Sequence, residues 1–416
     1  MIDFTNKDSK VFNLGCRLNY FESGIIKKIL DQNKVSKKIV INTCAVTNNA
    51  VKKSISEIRR VKKKYPNYEV YVTGCASQIE KEKFEALKEV DKVISNKYKT
   101  ENFSYVKTRK ITQKDYKFPE LFNGFTERTR ASLQIQQGCN HRCTFCIIPF
   151  GRGEARSLPV GEISNRLKKL IQMGFKEVTL TGVDLTSFGE DLPGKPKLGS
   201  VLKRLLNLHP KLKRLRLSSI DPAEMDDELL DLFKFNKRIL PYLHLSIQSG
   251  DNLILKRMRR RHTREKVMEI CNKLKSVRNE IKFGADLIVG FPTENHSHFK
   301  NTLNLVEYCR FSNLHLFRYS PKNGTPAAKM PQVSNDIKNL RYSKLLKTQT
   351  KIKSSLMKSK IGNIEEILFE SNNQSYTNDY FKVSLLKNNR NSIEPGSLIK
   401  VKITSKKKEN LLAKII

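Results

Sequence analysis

Most of what this sequence reveals comes from one segment, residues 139–146, with the sequence CNHRCTFC. It places Cys139, Cys143 and Cys146 at the spacing C-x3-C-x2-C, on a loop that can curl around a single inorganic ion or cluster. Iron–sulfur clusters are usually held by four cysteines. Three cysteines leave one iron without a protein ligand, and such an iron can bind a substrate or a cofactor.

The segment resembles the cluster-binding loop of the radical S-adenosylmethionine (SAM) superfamily. The resemblance rests on the cysteine offsets, on Phe145 before the last cysteine, and on a strand-like stretch at residues 131–136 just upstream. It implies that the open iron of a [4Fe–4S] cluster chelates the amino and carboxylate groups of SAM. It also implies that this cluster delivers the electron that splits SAM into a 5′-deoxyadenosyl radical.

Two other roles for these cysteines fit the sequence less well. A structural zinc site needs a fourth ligand close by, and His141 lies inside the loop at an unusual spacing for zinc. Three cysteines cannot pair evenly in disulfides, and nothing in the sequence indicates an oxidising compartment. The iron–sulfur interpretation is therefore favoured.

The length and composition predict a multidomain protein of the cytoplasm. A chain of 416 residues, 38% of them hydrophobic, can bury a sizeable core and is expected to form about two to four domains. No stretch approaches the ~18 apolar residues of a membrane span, and no signal peptide is visible. We therefore expect no membrane partner and a cytoplasmic location, where thiols stay reduced.

The charge of the chain favours a polyanion as partner. Its 79 basic and 41 acidic residues give a formal net charge of +38, and nucleic acid is the obvious candidate. The alternative is compositional drift, because Lys, Asn and Ile are the residues of an AT-rich genome. Such drift raises the lysine content, but it does not by itself lower the content of Glu and Asp.

The first hundred residues alternate predicted strands with amphipathic helices, the rhythm of an open parallel sheet with helices on its faces. The strands are predicted at residues 10–14, 39–43, 69–73 and 92–95, and the helices at 22–32 and 51–64.

Three further cysteines follow the ends of predicted strands. Cys16, Cys44 and Cys75 come directly after the first, second and third of them. Ligands of open α/β sheets bind at this carboxyl edge, so these cysteines are expected to converge and to hold a second cluster with one open iron. The alternative is three buried cysteines that act as small apolar residues, but a shared structural position favours the ligand role.

After a linker at residues 101–130, a second β-α pattern indicates a parallel curved sheet, either a partial barrel or an open one, over residues 131–337. Its strands are predicted at residues 131–136, 177–181, 214–218, 242–247, 283–289 and 313–319, and its helices at 160–173, 198–208, 224–235, 263–275 and 298–309. The loop with Cys139 follows the first strand, at the edge where barrel enzymes carry their chemistry.

The C-terminal part predicts one long basic helix at residues 338–357 and then a small antiparallel β-barrel at 358–416. Small barrels of this kind are common nucleic-acid binders. Its strands are predicted at residues 364–370, 380–386, 398–404 and 410–415.

The whole arrangement resembles the radical-SAM methylthiotransferase family. The matching stretches are residues 13–19, 42–47, 73–75, 138–152, 243–250 and 286–292. The family order is an N-terminal cluster domain, here residues 1–100, a radical-SAM partial (β/α)6 barrel, and a C-terminal TRAM domain that binds RNA. Residues 293–295, Thr-Glu-Asn, depart from the Gly-Glu-Thr-like sequence that is common after Gly-Phe-Pro.

The family resemblance implies the substrate and the use of two clusters. Residues 16–23 and 42–50 are most similar to the branch that acts on threonylcarbamoyladenosine at position 37 of tRNA. By this resemblance, the cluster on Cys16, Cys44 and Cys75 carries the sulfur and a second SAM methylates it. The methylthio group then moves to C2 of the adenine after radical activation of an inert C–H bond, so no His or Glu is interpreted as a general base.

Five residues are candidate contacts of SAM. Phe145 is expected to pack near the adenine, and Gly182 to let the backbone approach the amino group of SAM. Ser219, Ser246 and Gln248 lie at the ends of later strands and can bond the ribose or the methionine part. A role in strand-end turns explains each polar residue equally well.

Basic residues near predicted strand ends and in the C-terminal barrel are candidate RNA contacts. They are Arg257, Arg259, Arg260, Arg261, Lys400 and Lys402. A single basic run is more often a solvated face, but the arginine run follows the turn after Gln248. Cys271 and Cys309 lie on apolar faces of predicted helices and are expected in the core.

The expected partners are tRNA, SAM and an electron donor such as a flavodoxin or a ferredoxin, with the sulfur source left open. Two alternative substrates from the same family are isopentenyladenosine in tRNA and an aspartate of a ribosomal protein. A third alternative is a non-enzymatic iron–sulfur protein that binds RNA, which predicts no cleavage of SAM under reducing, oxygen-free conditions.

Overall fold

The computed structural model describes residues 2–5, 8–106, 118, 129–370, 375–386 and 393–416. The chain forms two compact units. Unit 1 comprises Met1–Gly124, Gln137–Leu158 and Ser320–Thr325, and unit 2 comprises Phe125–Gln136, Pro159–Tyr319 and Pro326–Ile416. Most of the expected linker, residues 107–117 and 119–128, lies outside the described residues. The domain boundaries stay a prediction, since compact units and domains need not coincide.

Unit 1 contains a five-stranded sheet in the order β1-β2-β3-β4-β5. The strands are β1 (Ile2–Thr5), β2 (Ser9–Asn13), β3 (Lys38–Thr43), β4 (Glu69–Gly74) and β5 (Lys92–Val93). The helices are α1 (Arg17–Gln32), α2 (Asn48–Lys64), α3 (Cys75–Ile79), α4 (Lys81–Glu85) and α5 (Ile148–Arg152). Strands β2 to β5 are parallel, as expected, whereas β1 is an antiparallel edge strand that the sequence did not predict.

The sequence explains why these elements form. Ile39, Val40 and Ile41 are fully buried along β3, which is typical of a central parallel strand covered on both faces. Helix α2 begins where the Thr47 hydroxyl accepts a hydrogen bond from the Ala50 amide at 3.1 Å, a helix N-cap. Three lysines in its last turn complement the helix dipole.

Unit 2 contains six parallel strands in two groups, β10-β9-β6 and β11-β12-β13. These strands are β6 (Arg130–Gln134), β9 (Glu177–Thr181), β10 (Arg214–Leu217), β11 (Tyr242–Gln248), β12 (Lys282–Val289) and β13 (Asn313–Arg318). Two short strands, β7 (Gln136–Gln137) and β8 (Arg156–Ser157), flank the loop with Cys139 along the chain. Single parallel bridges join Leu215 to Ile239 and Ile220 to Leu245, so the two groups form one curved wall and the expected partial barrel is confirmed.

The helices of this wall follow the prediction with shifted ends. They are α6 (Val160–Gln172), α7 (Leu198–Leu208), α8 (Asp227–Phe235), α9 (Asn252–Arg257), α10 (Arg264–Val277) and α11 (His296–Cys309). Helix α8 begins three residues later than expected because the Asp226 carboxylate caps it, accepting from the Leu229 amide at 2.7 Å. Helix α9 was not predicted.

The C-terminal part of unit 2 is a long helix followed by a closed five-stranded barrel, which confirms the expected small β-barrel. The elements are α12 (Asn335–Lys358), β14 (Ile364–Leu368), β15 (Ser375–Thr377), β16 (Lys382–Leu385), β17 (Leu398–Lys407) and β18 (Asn410–Ile415). The predicted strand at 380–386 is shorter because Tyr380 adopts a φ of 73° in a turn. One pair, β16 with β18, is parallel rather than antiparallel.

Among the described helices, none combines the length and the apolar character that a membrane crossing requires.

Candidate active site

The first cysteine triad, Cys16, Cys44 and Cys75, lies at the carboxyl edge of the sheet in unit 1. Its members follow β2, β3 and β4, which are adjacent and parallel. Burial, together with the nearby Cys16 and Cys75 sulfurs, raises the pKa of the Cys44 thiol to about 11. The structure therefore brings together three thiols that are separated along the chain.

Gly74 allows the ends of β3 and β4 to approach each other beside this triad. Its φ is 105°, and a Cβ added there would overlap the backbone N and O atoms of Thr43. Only glycine adopts this conformation without strain.

We expect the Gly74→Ala chain to lose at least about 2 kcal/mol of stability, because the new Cβ adds both backbone strain and steric overlap. It should also bind less iron after anaerobic reconstitution, since Cys44 and Cys75 follow the two displaced strand ends. Urea unfolding and iron analysis measure both effects. The Gly161→Ala chain is the control, because nothing lies within 4 Å of a Cβ at that position; equal behaviour of the two variants would contradict the role of Gly74.

A buried charge network, Glu22, Lys99 and Arg152, lies beside the first cysteine triad. Arg152 donates two parallel hydrogen bonds to the Glu22 carboxylate, at 2.8 and 3.1 Å. The Lys99 ammonium lies 2.5 Å from the same carboxylate, and all three side chains are only 2% exposed. Two cations therefore share one buried anion.

The network is coupled electrostatically to the cysteines. Burial alone would lower the pKa of Arg152, but the Cys75 thiol, Glu22 and the Cys16 thiol raise it well above its usual value. Asn96 donates from its amide nitrogen to the Cys75 sulfur at 3.7 Å and to the Gly151 carbonyl at 2.6 Å. Helix α5, which follows Cys146 in the sequence, thus packs beside the first cysteine triad.

A further buried cation, Lys322, lies near Cys44. Its ammonium has no hydrogen-bond partner among the described residues. Burial lowers its pKa, while Glu80 and the Cys44 sulfur oppose that shift. An unpaired buried ammonium is costly. With Lys322, the cations beside the first triad outnumber the Glu22 carboxylate. These surroundings therefore suit an anionic group bound to the three cysteines.

The second cysteine triad, Cys139, Cys143 and Cys146, also belongs to unit 1. The loop is tightly curled: the Cys139 amide donates to the Gly153 carbonyl at 3.2 Å, and the Cys146 amide donates to the Cys143 carbonyl at 3.0 Å. The three thiols are partly exposed, as is Phe145. Three partly exposed thiols on one curled loop suit the ligation of an iron–sulfur cluster.

The remaining candidate SAM contacts lie in unit 2. The missing Cβ of Gly182 makes room for Gln136, whose side-chain carbon and oxygen would lie 2.9 Å from it. The Ser246 hydroxyl donates to the Asp286 carboxylate at 3.5 Å. Gln248 has a φ of 77° at an irregularity in β11, and Ser219 is half-buried. Their roles toward SAM stay predictions.

The candidate RNA contacts differ in what their charges do within the protein. Arg260 is nearly buried, and it donates to the Asp221 carboxylate at 2.8 Å. Arg261 donates to Glu224 at 2.6 Å and Arg257 to the Thr293 hydroxyl at 2.7 Å, so both are partly engaged.

Three of the candidate RNA contacts, Arg259, Lys400 and Lys402, are exposed. The two lysines lie on the outer face of β17, on either side of the buried Val401. Their charges are therefore accessible to a partner.

Sequence analysis missed the cations around the first triad. Arg152 and Glu22 fall inside stretches that carried the family resemblance, and this resemblance was the one sign in the sequence that they could be functional. Lys99 and Lys322 lie outside those stretches, so nothing in the sequence pointed to them. Cys271 and Cys309 are fully buried, as expected.

Comparison with known proteins agrees with this geometry. Residues 133–306 match the Radical SAM superfamily, and residues 9–95 match the uncharacterized protein family UPF0004. The chain is 44% identical over 386 residues to the threonylcarbamoyladenosine tRNA methylthiotransferase MtaB of Rickettsia prowazekii, covering 91% of this chain and 92% of that protein. It belongs to the radical SAM tRNA methylthiotransferase family.

Other relatives of this methylthiotransferase carry two substrate names. The MtaB protein of Bacillus subtilis is 34% identical, with 94% of this chain and 92% of that protein covered. The tRNA-2-methylthio-N(6)-dimethylallyladenosine synthase of Carboxydothermus hydrogenoformans is 32% identical, with 96% and 97% covered. The expected family and its transferase class are thereby confirmed.

Among solved structures, the methylthiotransferase resembles the radical SAM methyltransferase TsrM from Kitasatospora setae. The TM-score is 0.54 at 11% identity, and the match covers 76% of each chain. At this identity the likeness shows the fold alone, and it agrees with the expected radical SAM architecture.

Proposed function

We propose that this methylthiotransferase adds a methylthio group to C2 of N6-threonylcarbamoyladenosine at position 37 of tRNA, with two [4Fe–4S] clusters and two molecules of SAM. The observation that carries this proposal is the convergence of Cys16, Cys44 and Cys75 beside an excess of buried positive charge. A protein with only the radical SAM cluster would need neither feature.

The second cysteine triad would hold the cluster that binds SAM. When bound, this cluster and SAM supply a radical that can abstract hydrogen from an inert C–H bond. In this proposal Phe145 would lie beside the adenine of SAM, and residues at strand ends would orient the rest of the molecule: Gly182, Ser219, Ser246 and Gln248. We propose an electron donor such as a flavodoxin or a ferredoxin.

The first cysteine triad would hold the second cluster. A [4Fe–4S]2+ core with three thiolates carries one net negative charge, and the buried charge network carries one net positive charge. Arg152 and Lys99 offset the cost of burying the cluster, and Lys322 gains an anionic neighbour. The residues around this triad thus hold the cluster electrostatically as well as through sulfur.

The exposed basic residues suit a tRNA substrate. The net charge of +38 attracts a phosphate backbone. We propose two groups of residues as contacts of the tRNA backbone. The first follows strand β11 of the partial barrel and comprises Arg257, Arg259 and Arg261. The second lies on the C-terminal barrel and comprises Lys400 and Lys402. Arg260 is not included because its guanidinium forms a buried ion pair with Asp221.

The choice of threonylcarbamoyladenosine rests on the relatives. The relative at 44% identity carries that name, whereas the dimethylallyladenosine synthase is 32% identical. Local sequence around Cys16 and Cys44 favours the same branch.

Mass spectrometry of tRNA nucleosides tests the proposal directly. The gene is expressed in a host that lacks its own methylthiotransferases for both modified adenosines, with the empty vector as control. We expect methylthio-threonylcarbamoyladenosine to appear and methylthio-isopentenyladenosine to stay absent. The reverse pattern would assign the other tRNA substrate, and a methylthio-aspartate in ribosomal protein digests would assign the third.

A further inference from the structure

Two histidines and an aspartate lie together on three adjacent parallel strands of unit 2. His244 lies on β11, Asp286 on β12 and His315 on β13, and Asp286 pairs directly with His315 in the register. His244 lies opposite Gly284, so Asp286 is its diagonal neighbour. The side chains of His244 and Asp286 lie on one strand face, opposite the buried Leu243 and Leu245.

The three side chains bring one potential ligand atom each into close proximity. The Asp286 Oδ1 atom is 3.1 Å from His244 Nε2 and 3.0 Å from His315 Nδ1. All three ligand atoms lie within 4.8 Å of one another. In a tetrahedral zinc site with bonds of about 2.0–2.1 Å, neighbouring ligand atoms lie about 3.3 Å apart. The two distances to Asp286 Oδ1 are close to this value. Rotation of the exposed His315 side chain would bring its Nδ1 atom to a similar distance from His244 Nε2.

The surroundings hold these ligand atoms in place. The Tyr242 hydroxyl lies 3.2 Å from His244 Nδ1, and a bond from the second ring nitrogen is what orients a metal-binding histidine. A Cβ at Gly284 would overlap the Tyr242 hydroxyl, so glycine there leaves room for this pair. The second oxygen of Asp286 accepts a hydrogen bond from Ser246 at 3.5 Å.

The charge and exposure of the site suit a cation. The site combines one carboxylate with two imidazoles, a donor set that suits a cation and not an anion. The His315 side chain is 62% exposed, so solvent reaches one side.

We propose that His244 Nε2, Asp286 Oδ1 and His315 Nδ1 bind one divalent transition-metal ion, with positions open to water or to an anionic oxygen. Imidazole and carboxylate ligands suit Zn2+, Mn2+ and Fe2+, in contrast to the thiolates of the cysteine triads. This site goes beyond the proposed methylthio transfer and requires none of its steps.

Electron paramagnetic resonance of Mn2+ tests the site in the cluster-loaded protein. Mn2+ prefers oxygen and nitrogen over thiolate ligands, and oxidised [4Fe–4S]2+ clusters are diamagnetic. We expect one Mn2+ to bind per chain and one equivalent of Zn2+ to displace it. The His315→Ala chain should bind Mn2+ at least about 100-fold more weakly, and the Tyr242→Phe chain about 10- to 100-fold more weakly.

The control is the His296→Ala chain, which loses an exposed histidine outside the site. It should bind Mn2+ with unchanged affinity. Because His315 is exposed, its variant should keep the melting temperature of the parent without metal. Absence of a bound Mn2+ signal, or equal binding by the His315→Ala chain, would overturn the proposal and leave the three residues as a hydrogen-bonded network. Neither result depends on activity toward tRNA.

Discussion

The Cys143→Ala chain is expected to lose all methylthiolated nucleoside and about half of its iron. The second cysteine triad would then lack one of three ligands, while the first triad stays intact. Because SAM would bind to the cluster of the second triad, cleavage of SAM to 5′-deoxyadenosine should also stop.

The Cys16→Ala chain gives the complementary result. It should lose a similar share of iron and all methylthio product, yet still form 5′-deoxyadenosine when reduced without oxygen. Iron analysis, chromatography of SAM products and nucleoside mass spectrometry measure the three quantities. The Cys309→Ala chain is the matched control, since this core cysteine is a small apolar group and should leave iron and product unchanged. A normal yield of methylthiolated nucleoside from the Cys16→Ala chain would contradict the two-cluster mechanism.

Replacing Arg152 by methionine should destabilise the protein by about 3–5 kcal/mol, because it leaves a buried carboxylate with one partner fewer. It should also lower the reduction potential of the cluster on the first triad, since a neighbouring positive charge favours uptake of an electron. Anaerobic urea unfolding and a redox titration measure the two effects. The Arg59→Met chain removes a solvent-accessible Arg–Glu pair, Arg59 with Glu89, and should cost less than about 1 kcal/mol.

The Lys322→Met chain separates electrostatics from folding. Removing an unpaired buried ammonium should stabilise the cluster-free protein, yet lower the same reduction potential. If the potentials of both variants equal that of the parent, the buried cations do not act on the cluster.

Sequence alone located both cysteine triads because their signals are local. Three predicted strands each ended at a cysteine, and parallel strand ends meet at one edge. The partners of these cysteines carried no such signal: Arg152 and Glu22 are 130 residues apart, and nothing periodic relates them. Strand β1 was not predicted because the residues around it are polar. It is a strand because of its antiparallel hydrogen bonds to β2, which the composition of the segment does not reveal.

The proposed histidine–aspartate site had no signal in the sequence, for a different reason. Its residues are separated by 42 and 29 positions, so no motif spacing joins them. Radical chemistry made a general base unnecessary, and the histidines were therefore set aside. Ser246 was predicted to contact SAM, and that role stays a prediction; its hydroxyl donates a hydrogen bond to Asp286.

Unit 1 is assembled from three distant segments of the chain, and this has a consequence for biosynthesis. Asn48 bonds the Ser320 hydroxyl at 3.1 Å and the Pro321 carbonyl at 3.0 Å. A ribosome that adds about 5–20 residues per second delivers residue 325 on the order of ten seconds or more after the sheet has emerged. Until then Cys44 lacks Lys322, whereas Arg152 reaches Glu22 much earlier in synthesis. We therefore expect the proposed cluster on the first triad to assemble near the end of translation or after release, when Lys322 and the residues beside it are available.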